Sequence, residues 1–412
     1  LFQGRNGHGK SNLLEATYML AIAKSPRSSH ERELVNWSLA ETGGHMQILG
    51  VGRAGDTTIQ AQLDVDVTAA TVGPNGAPNG QIGFRKGLRV NGIKRSAIDF
   101  VGNLNIVFVE AEDLEIIYGS PGRRRRYLDI LISQSDPAYL KSLQRYGQVV
   151  TQRNRLLRRI REGLSEENEL AFWDERLAYE GSRVTDSRRR SVDGLNDHAV
   201  PAHSELTDGD DLELEYRPRI SPSSDDRPEI GSMSAEMIEQ EIKKALPALR
   251  RREIAQAVTV IGPHRDDLEI RLNDNAAGQF ASRGQARTIA LSLKLAEAVF
   301  VTNATGRTPV LALDDILSEL DPKRRVLVLE AATKHQQVLL TSTEPGIVPQ
   351  EFLEKADIYT VMNGRVVQDE IGGNAVLDVD VEANTGDQDD AVDTDEAVTS
   401  TKEPGNAGEE QI

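Results

Sequence analysis

The sequence predicts an α/β protein with a mixed β-lobe and a mostly parallel sheet, interrupted by a mainly helical insertion. Three observations carry this. Gly4 to Ser11 fits G-x-x-x-x-G-K-[ST] and leads into a helical stretch, Asn12 to Ile22. Stretches between 47 and 109 alternate apolar and polar positions as strands do, whereas 122–206 has few β-branched runs and reads as helix. After 258 short apolar runs alternate with amphipathic ones, an order that implies parallel strands.

In the first element, Gly4, Arg5, Asn6, Gly7, His8, Gly9, Lys10 and Ser11 form a phosphate loop. Its glycines let backbone N–H groups close on phosphate oxygens. Lys10 is placed to reach the β- and γ-phosphates of ATP, and the Ser11 hydroxyl to hold Mg²⁺. The positive end of the following helix lies under the phosphates. Such a loop hangs from a buried strand. Only Leu1-Phe2-Gln3 precede it, so the natural chain is expected to begin upstream.

The runs Gln47–Val51 and Thr57–Val65 read as strands, 73–80 as a loose loop, and Ile82–Val90 with Asn91-Gly92 and Ile93 as a hairpin. Leu104–Val109 reads as a buried strand, completing a β-rich lobe over the first hundred residues. Pro121 and Asp136-Pro137 are helix starts. A Ser/Asp/Pro-rich stretch, 218–231, breaks the helical pattern, Leu212–Tyr216 is a small extended piece, and a helix from Ser234 to about Gln256 has a kink point at Pro247. Val258–Ile261 and Leu268–Leu272 are strand-like, and Gly284–Asn303 is an amphipathic helix. Val310–Leu313 is a buried strand followed by a helix near 322–334. Val338–Leu340, Ile358–Val361 and, after Asn363-Gly364, Arg365–Val367 are further strands. The expected organisation is a head from 1–118 and 258–370, a helical insertion at 119–257, and an acidic, disordered tail at 371–412.

Composition narrows the function classes. The chain has 412 residues, enough for two or three cores, and 27% are charged. Zero cysteines exclude a disulfide scaffold and Cys-ligated metals, and are compatible with a cytoplasmic location. No apolar run is long enough to span a membrane. The net charge of −17 argues against a nucleic-acid partner until its distribution is seen. The tail from Ile371 holds twelve Asp/Glu and one Lys, while Gly119–Arg190 holds sixteen Arg/Lys against ten Asp/Glu. Local basicity sets phosphate attraction.

Three further patterns complete a site. Val310-Leu311-Ala312-Leu313 ends in Asp314-Asp315, which puts carboxylates at the C-terminal edge of the sheet, where α/β ligands sit. Asp314 is placed to share the Mg²⁺ with Ser11, and Asp315 to face the γ-phosphate and activate water. Ser282-Arg283-Gly284-Gln285 opens a helix about thirty residues earlier, a second anion cradle or simply an N-cap. Ser318-Glu319-Leu320-Asp321 follows the strand.

The order of phosphate loop, insertion, Ser-x-Gly-Gln, Asp-Asp and Ser-Glu-Leu-Asp resembles the ABC-type P-loop ATPase heads. In that family the signature Ser and Gly complete the site of a second copy, so the resemblance implies that Ser282, Gly284 and Gln285 act across an ATP-dependent homodimer. The insertion of about 270 residues carries no sustained heptads, unlike the long coiled-coil SMC proteins. Transporter ATPases, an alternative within the class, have shorter insertions and Asp-Glu at Asp314-Asp315. Local phrases narrow the likeness to the RecF family of bacterial recombination mediators. They are Gly4–Ala16, Glu112-Asp113-Leu114, Gly119-Ser120-Pro121 with Arg124-Arg125 and Leu128-Asp129, Gly262–Leu268, Gly284–Thr288 and Leu313–Asp321. Ala111 departs from the expected Pro. The likeness implies ATP and Mg²⁺ held by Lys10, Ser11 and Asp314, with Asp315 in the usual place of a catalytic Glu. It also implies slow, DNA-dependent hydrolysis used as a switch, and binding to duplex and single-strand/double-strand junctions without sequence reading. Partnership with RecO and RecR in loading RecA, gap repair, replication restart and the SOS response follow from the same likeness. An ATP-gated DNA scaffold with vestigial hydrolysis is the second alternative.

Candidate phosphate contacts are Arg123, Arg124, Arg125, Arg126, Arg155, Arg158 and Arg159, with Arg153, Arg161 and Arg188 to Arg190 beside them. The bland reading is a solvated helical face or internal ion pairs. The segment lacks interleaved aromatics, so backbone tracking of duplex is favoured over stacking on single strands. His264 is read as bracing its loop rather than touching nucleotide.

Overall fold

The computed structural model describes residues 1–28, 31–35, 43–54, 57–68, 83–207, 209–222, 230–368 and 375–377. Its strands are β1 (Phe2–Gln3), β2 (Gly44–Ala54), β3 (Thr57–Thr68), β4 (Gly83–Val90), β5 (Ile93–Lys94), β6 (Ile106–Val109) and β7 (Leu212–Arg217). They continue with β8 (Asp267–Leu272), β9 (Asn275–Ala276), β10 (Val310–Asp314), β11 (Val338–Ser342), β12 (Tyr359–Met362), β13 (Arg365–Gln368) and β14 (Ala375–Leu377). The principal helices are α1 (Lys10–Ile22), α2 (Pro121–Ser133), α3 (Pro137–Arg161), α4 (Leu170–Leu206), α5 (Ala235–Gln256), α6 (Arg283–Thr305) and α7 (Pro322–Thr333).

Among the described residues the main sheet runs β14-β13-β12-β1-β11-β10-β6. The two-residue β1 lies in its middle, parallel to both β11 and β12 through Phe2↔Thr341 and Phe2↔Tyr359. β10 is parallel to β11 and β6. The period of two along β6 decides the layers. Ile106 and Phe108 bury against Leu14, Tyr18 and Ala21 of α1. Val107 and Val109 face the opposite layer, with Leu291 and Leu295 of α6 and Val328 and Leu329 of α7. Helices on both faces explain why these strands read as continuous apolar runs.

A separate antiparallel sheet, β2-β3-β4-β5, forms the lobe. Its inward residues Leu63 and Val65 pack with Met19 and Leu20 of α1 and with Phe100. The β4–β5 turn is Asn91-Gly92 with both φ positive, 52° and 77°, as a two-residue hairpin requires. β6 corrects an expectation: it belongs to the main sheet, because its partner is β10 rather than a lobe strand.

The helical part contains α2 to α5 and a third small sheet, β7-β8-β9. β8 thus pairs with a strand from inside the expected insertion, Leu212↔Leu272 to Arg217↔Asp267, and a ladder bridges the boundary drawn at 257/258. Val258–Ile261 is not a strand. Two of its backbone donors go to side chains instead: Thr259 N–H donates to Asn154 Oδ1 at 2.7 Å and Val260 N–H to Glu253 Oε1 at 2.9 Å. α5 runs through Pro247 as one helix. Ala375–Leu377, expected in the tail, pair with β13. The expected loop at 73–80 and the tail from 378 onward lie outside the described residues.

Candidate nucleotide site

The carboxyl ends of parallel β1, β10 and β11, with that of β6, share one edge of the main sheet. The phosphate loop leaves β1, Asp314 ends β10, Thr341 and Ser342 end β11, and Glu110 follows β6. Parallel register is what gathers four chain segments there.

Loop geometry follows from its glycines. Gly9 has φ 100°, and a Cβ there would meet Gly364 Cα at 3.5 Å. Gly364 N–H in turn donates to the His8 carbonyl at 3.0 Å, so the β12–β13 turn braces the loop from outside. Lys10 is buried, 6% exposed, and its ammonium donates to the carbonyls of Gly4 at 2.8 Å and Arg5 at 3.1 Å. Those partners are neutral, and among the described residues no carboxylate pairs with the ammonium, which suits it to a phosphate. Ser11 Oγ donates to Asp314 Oδ1 at 3.0 Å, and Thr341 Oγ1 donates to the same oxygen at 2.7 Å. Ser11 and Asp314 are therefore brought together as the sequence predicted.

Asp315 adopts φ 52° and is held through its backbone: its N–H donates to Thr341 Oγ1 at 2.9 Å. Its carboxylate accepts from Thr343 N–H at 3.3 Å. Asp and Asn tolerate this left-handed conformation better than most residues.

Two charged residues of the site were not foreseen. Arg27 Nη2 lies 2.5 Å from Asp314 Oδ2, and its Nε 3.1 Å from Glu110 Oε2. Burial and the neighbouring Asp113 push the Glu110 carboxyl up to about 7. The sequence signal for Arg27 is weak, a lone Arg after Ser25-Pro26 beyond the end of α1.

Ser282 lies at the N-terminus of α6. Its Oγ accepts from Gln285 N–H at 3.3 Å and its N–H donates to Gln285 Oε1 at 3.0 Å, a reciprocal capping box. Ser282 and Gly284 are exposed, and nothing lies within 4 Å of a Cβ built on Gly284. The capping role is thus realised on an open surface.

The arginines divide. Arg124 grips Asp267 with two bonds of 2.7 and 3.0 Å, Arg125 donates to the Asp266 carbonyl, and Arg126 to the carbonyls of Ser25 and Pro26. Arg123 pairs with Glu115 at 2.7 Å. All four candidates are thus engaged within the chain, the internal pairing that was the bland reading, with Arg123 and Arg126 at exposed positions. Arg153 and Arg188 are buried in ion pairs with Glu253 and Asp129 and hold helices together. Arg155, Arg158 and Arg159 remain exposed near the end of α3. His264 braces: its Nε2 bonds the Thr259 carbonyl at 2.9 Å and its Nδ1 the Tyr146 hydroxyl at 2.6 Å. Gly262 (φ 109°) must be glycine here, since a Cβ would lie 2.3 Å from that hydroxyl.

The residues present fit Mg-ATP. Glycines leave room for phosphates, Lys10 supplies a buried cation, and Ser11 with Asp314 supplies two hard oxygen ligands. Among the described residues no group of three or more His, Asp or Glu is placed to hold a metal. Mg²⁺ takes few protein ligands and completes its shell with water and phosphate oxygens. Among the described residues no helix is long and apolar enough to cross a membrane.

Fold and site define the class: an ABC-type P-loop ATPase head carrying a largely helical insertion. No family model matches the chain. It is 40% identical over 378 residues to the DNA replication and repair protein RecF of Herpetosiphon aurantiacus, covering 89% of this chain and 92% of that one. Identity to the protein of the same name from Chloroflexus aurantiacus is 37% over 374 residues, covering 89% and 93%. A solved structure of the recombination mediator protein RecF with ATP, of the RecFOR pathway, superposes with TM-score 0.76 at 29% identity over 89% of this chain and 90% of that one. Another of the same protein, with ATPrS, gives TM-score 0.75 at 30% identity over 89% and 91%. The chain belongs to the RecF family.

Proposed function

We propose that this chain is an ATP-dependent DNA-binding protein of recombinational gap repair, working as a nucleotide-driven homodimer. The observation that carries the reading is the meeting of Lys10, Ser11 and Asp314 at one sheet edge, while Ser282 and Gly284 stand exposed at the start of α6. Lys10 and the loop bind the phosphates, and Ser11 and Asp314 hold Mg²⁺. The exposed cradle of Ser282, Gly284 and Gln285 closes over the nucleotide of a second copy. Asp315 orients water for slow hydrolysis that releases the dimer. Relatives named for DNA replication and repair, and a solved relative described with ATP in the RecFOR pathway, support the biological setting. RecR and RecO are the partners that setting suggests, and the cytoplasm the location. Arg155, Arg158 and Arg159 are the remaining candidates for backbone contacts to duplex DNA, which are insensitive to sequence.

Sedimentation with and without ATP, on gapped, duplex and single-stranded DNA, tests the reading. ATP should convert monomer to dimer and tighten binding to gapped DNA. An ATP-independent monomer with unchanged DNA affinity would overturn it.

A further inference from the structure

A continuous line of charged groups leaves the nucleotide site and ends inside the helix that begins at Ser282. Asp314 is 7% exposed, and both of its oxygens are occupied: Oδ1 by Ser11 and Thr341, Oδ2 by Arg27. Arg27 reaches Glu110 through Nε. Glu110 and Asp113 are locked by a capping box, the Glu110 N–H donating to Asp113 Oδ2 at 2.9 Å and the Glu110 carboxylate receiving the Asp113 N–H. Asp113 Oδ1 lies 3.4 Å from the ammonium of Lys294, which lies 3.3 Å from Glu297. Lys294 and Glu297 are buried in the middle of α6. A cavity of about 280 Å³ opens beside this line, lined by Arg27, Glu110, Glu112, Asp113, Lys294 and Glu297 among others.

Arg27 thus occupies the carboxylate that, with Ser11, would hold a metal. A guanidinium 2.5 Å from the metal-binding carboxylate would lie within a few ångströms of a divalent cation, where two positive charges repel strongly in a partly buried site. One must go. We propose that Arg27 is the exchangeable counter-ion of Asp314: it neutralises that carboxylate before the metal arrives, is released by it, and passes the change through Glu110 and Asp113 to Lys294 on the signature helix. Glu110 keeps the released guanidinium tethered, and the cavity gives it room to move. The line thus couples the filling of one copy's metal site to the positioning of the cradle that same copy offers its partner. Arg27, Glu110, Asp113 and Lys294 are positioning residues, since none of them need touch the nucleotide. The proposal rests on the reading of Ser11 and Asp314 as the Mg²⁺ ligands.

The test titrates Mg²⁺ at fixed N-methylanthraniloyl-ATP, following fluorescence for binding and sedimentation for dimer. With Arg27→Met, the metal no longer competes with a guanidinium, so the Mg²⁺ midpoint for nucleotide binding should fall about tenfold. With Lys294→Met, Mg²⁺ and nucleotide binding should stay within about twofold while ATP-driven dimerisation weakens at least about fivefold. Lys294→Met with Glu297→Gln removes one positive and one negative charge, and should fold and show the same split if the single variant does not. An unchanged or raised midpoint in Arg27→Met overturns the counter-ion role. Parallel loss of binding and dimer in the charge-balanced variant, or no loss of dimer, overturns the coupling. Absence of Mg²⁺-dependent nucleotide binding in the unmodified protein would instead overturn the site itself.

Discussion

His264 offers a quantitative test of a family phrase, Gly262–Leu268, that sits away from the nucleotide. Its ring is fixed at both nitrogens: Nε2–H donates to the Thr259 carbonyl, so Nδ1 accepts from the Tyr146 hydroxyl. Burial disfavours the charged imidazolium, and with Arg265, Arg125 and Arg153 nearby it pushes the pKa down to about 4. The unfolded chain takes up this proton near the ordinary value of about 6.5. Between the two values the unfolded state binds more protons than the folded one, so stability falls as pH falls. The full contribution is present above about 6.5, and going from about pH 7.5 to about pH 5 gives a loss of about 2 kcal/mol from this one group. Urea unfolding of the protein and of His264→Gln at both pH values isolates it, because every other titrating group remains in both. The variant should be less stable at neutral pH but lose about 2 kcal/mol less on acidification. Parallel stability-against-pH curves for the two proteins would refute the bracing argument.

Other expectations follow from the same geometry. Lys10→Met removes charge-assisted bonds to phosphate, about 1.5–3 kcal/mol each, so ATP affinity should fall at least about a hundredfold, with unfolding in the absence of nucleotide little changed; retained affinity in equilibrium binding argues against the loop assignment. Ser282→Arg should leave monomer ATP binding intact and block the ATP-driven dimer in sedimentation, since Ser282 is exposed and its neighbourhood open. Replacing Arg158 and Arg159 by Gln should reduce the slope of log affinity against log salt for duplex DNA by about 2, while an identical slope returns that face to plain solvation.

The sequence is most legible where chemistry constrains backbone. Gly4–Ser11 and Val310–Asp315 require particular conformations beside particular ligands, and the structure brings Ser11 and Asp314 within hydrogen-bonding distance. Asn91-Gly92 and Asn363-Gly364 both turn with positive φ at both residues, so both hairpins could be read from two letters. Pairing partners were less legible. Leu268–Leu272 alternates like any half-buried strand, and nothing local says that it joins β7 instead of the parallel sheet. Val258–Ile261 has strand composition, yet Asn154 and Glu253, distant or on another element, take its donors. Charge was least legible: the run Arg123–Arg126 resembles a phosphate patch, but Arg124 is bound twice to Asp267, more than a hundred residues away. Arg27 escaped for the converse reason, since an isolated cation gains meaning only when Asp314 and Glu110 arrive from other strands.

Asp315 decides between a hydrolytic switch and a scaffold that ATP merely gates. Its backbone is pinned to β11 through Thr341, at a left-handed position. The carboxylate itself is bound loosely, by Thr343 at 3.3 to 3.5 Å, and so is free to take a water as a better partner. Asp315→Asn removes the base while preserving shape and tolerance of the left-handed conformation. It should keep ATP binding and dimerisation, lose single-turnover hydrolysis on gapped DNA by about 10²-fold or more, and lengthen the life of the dimer on that DNA. Unchanged turnover would mean that Asp315 does not activate water. Turnover lost without a longer-lived dimer would mean that hydrolysis does not drive release, and the gated scaffold would then be the better account.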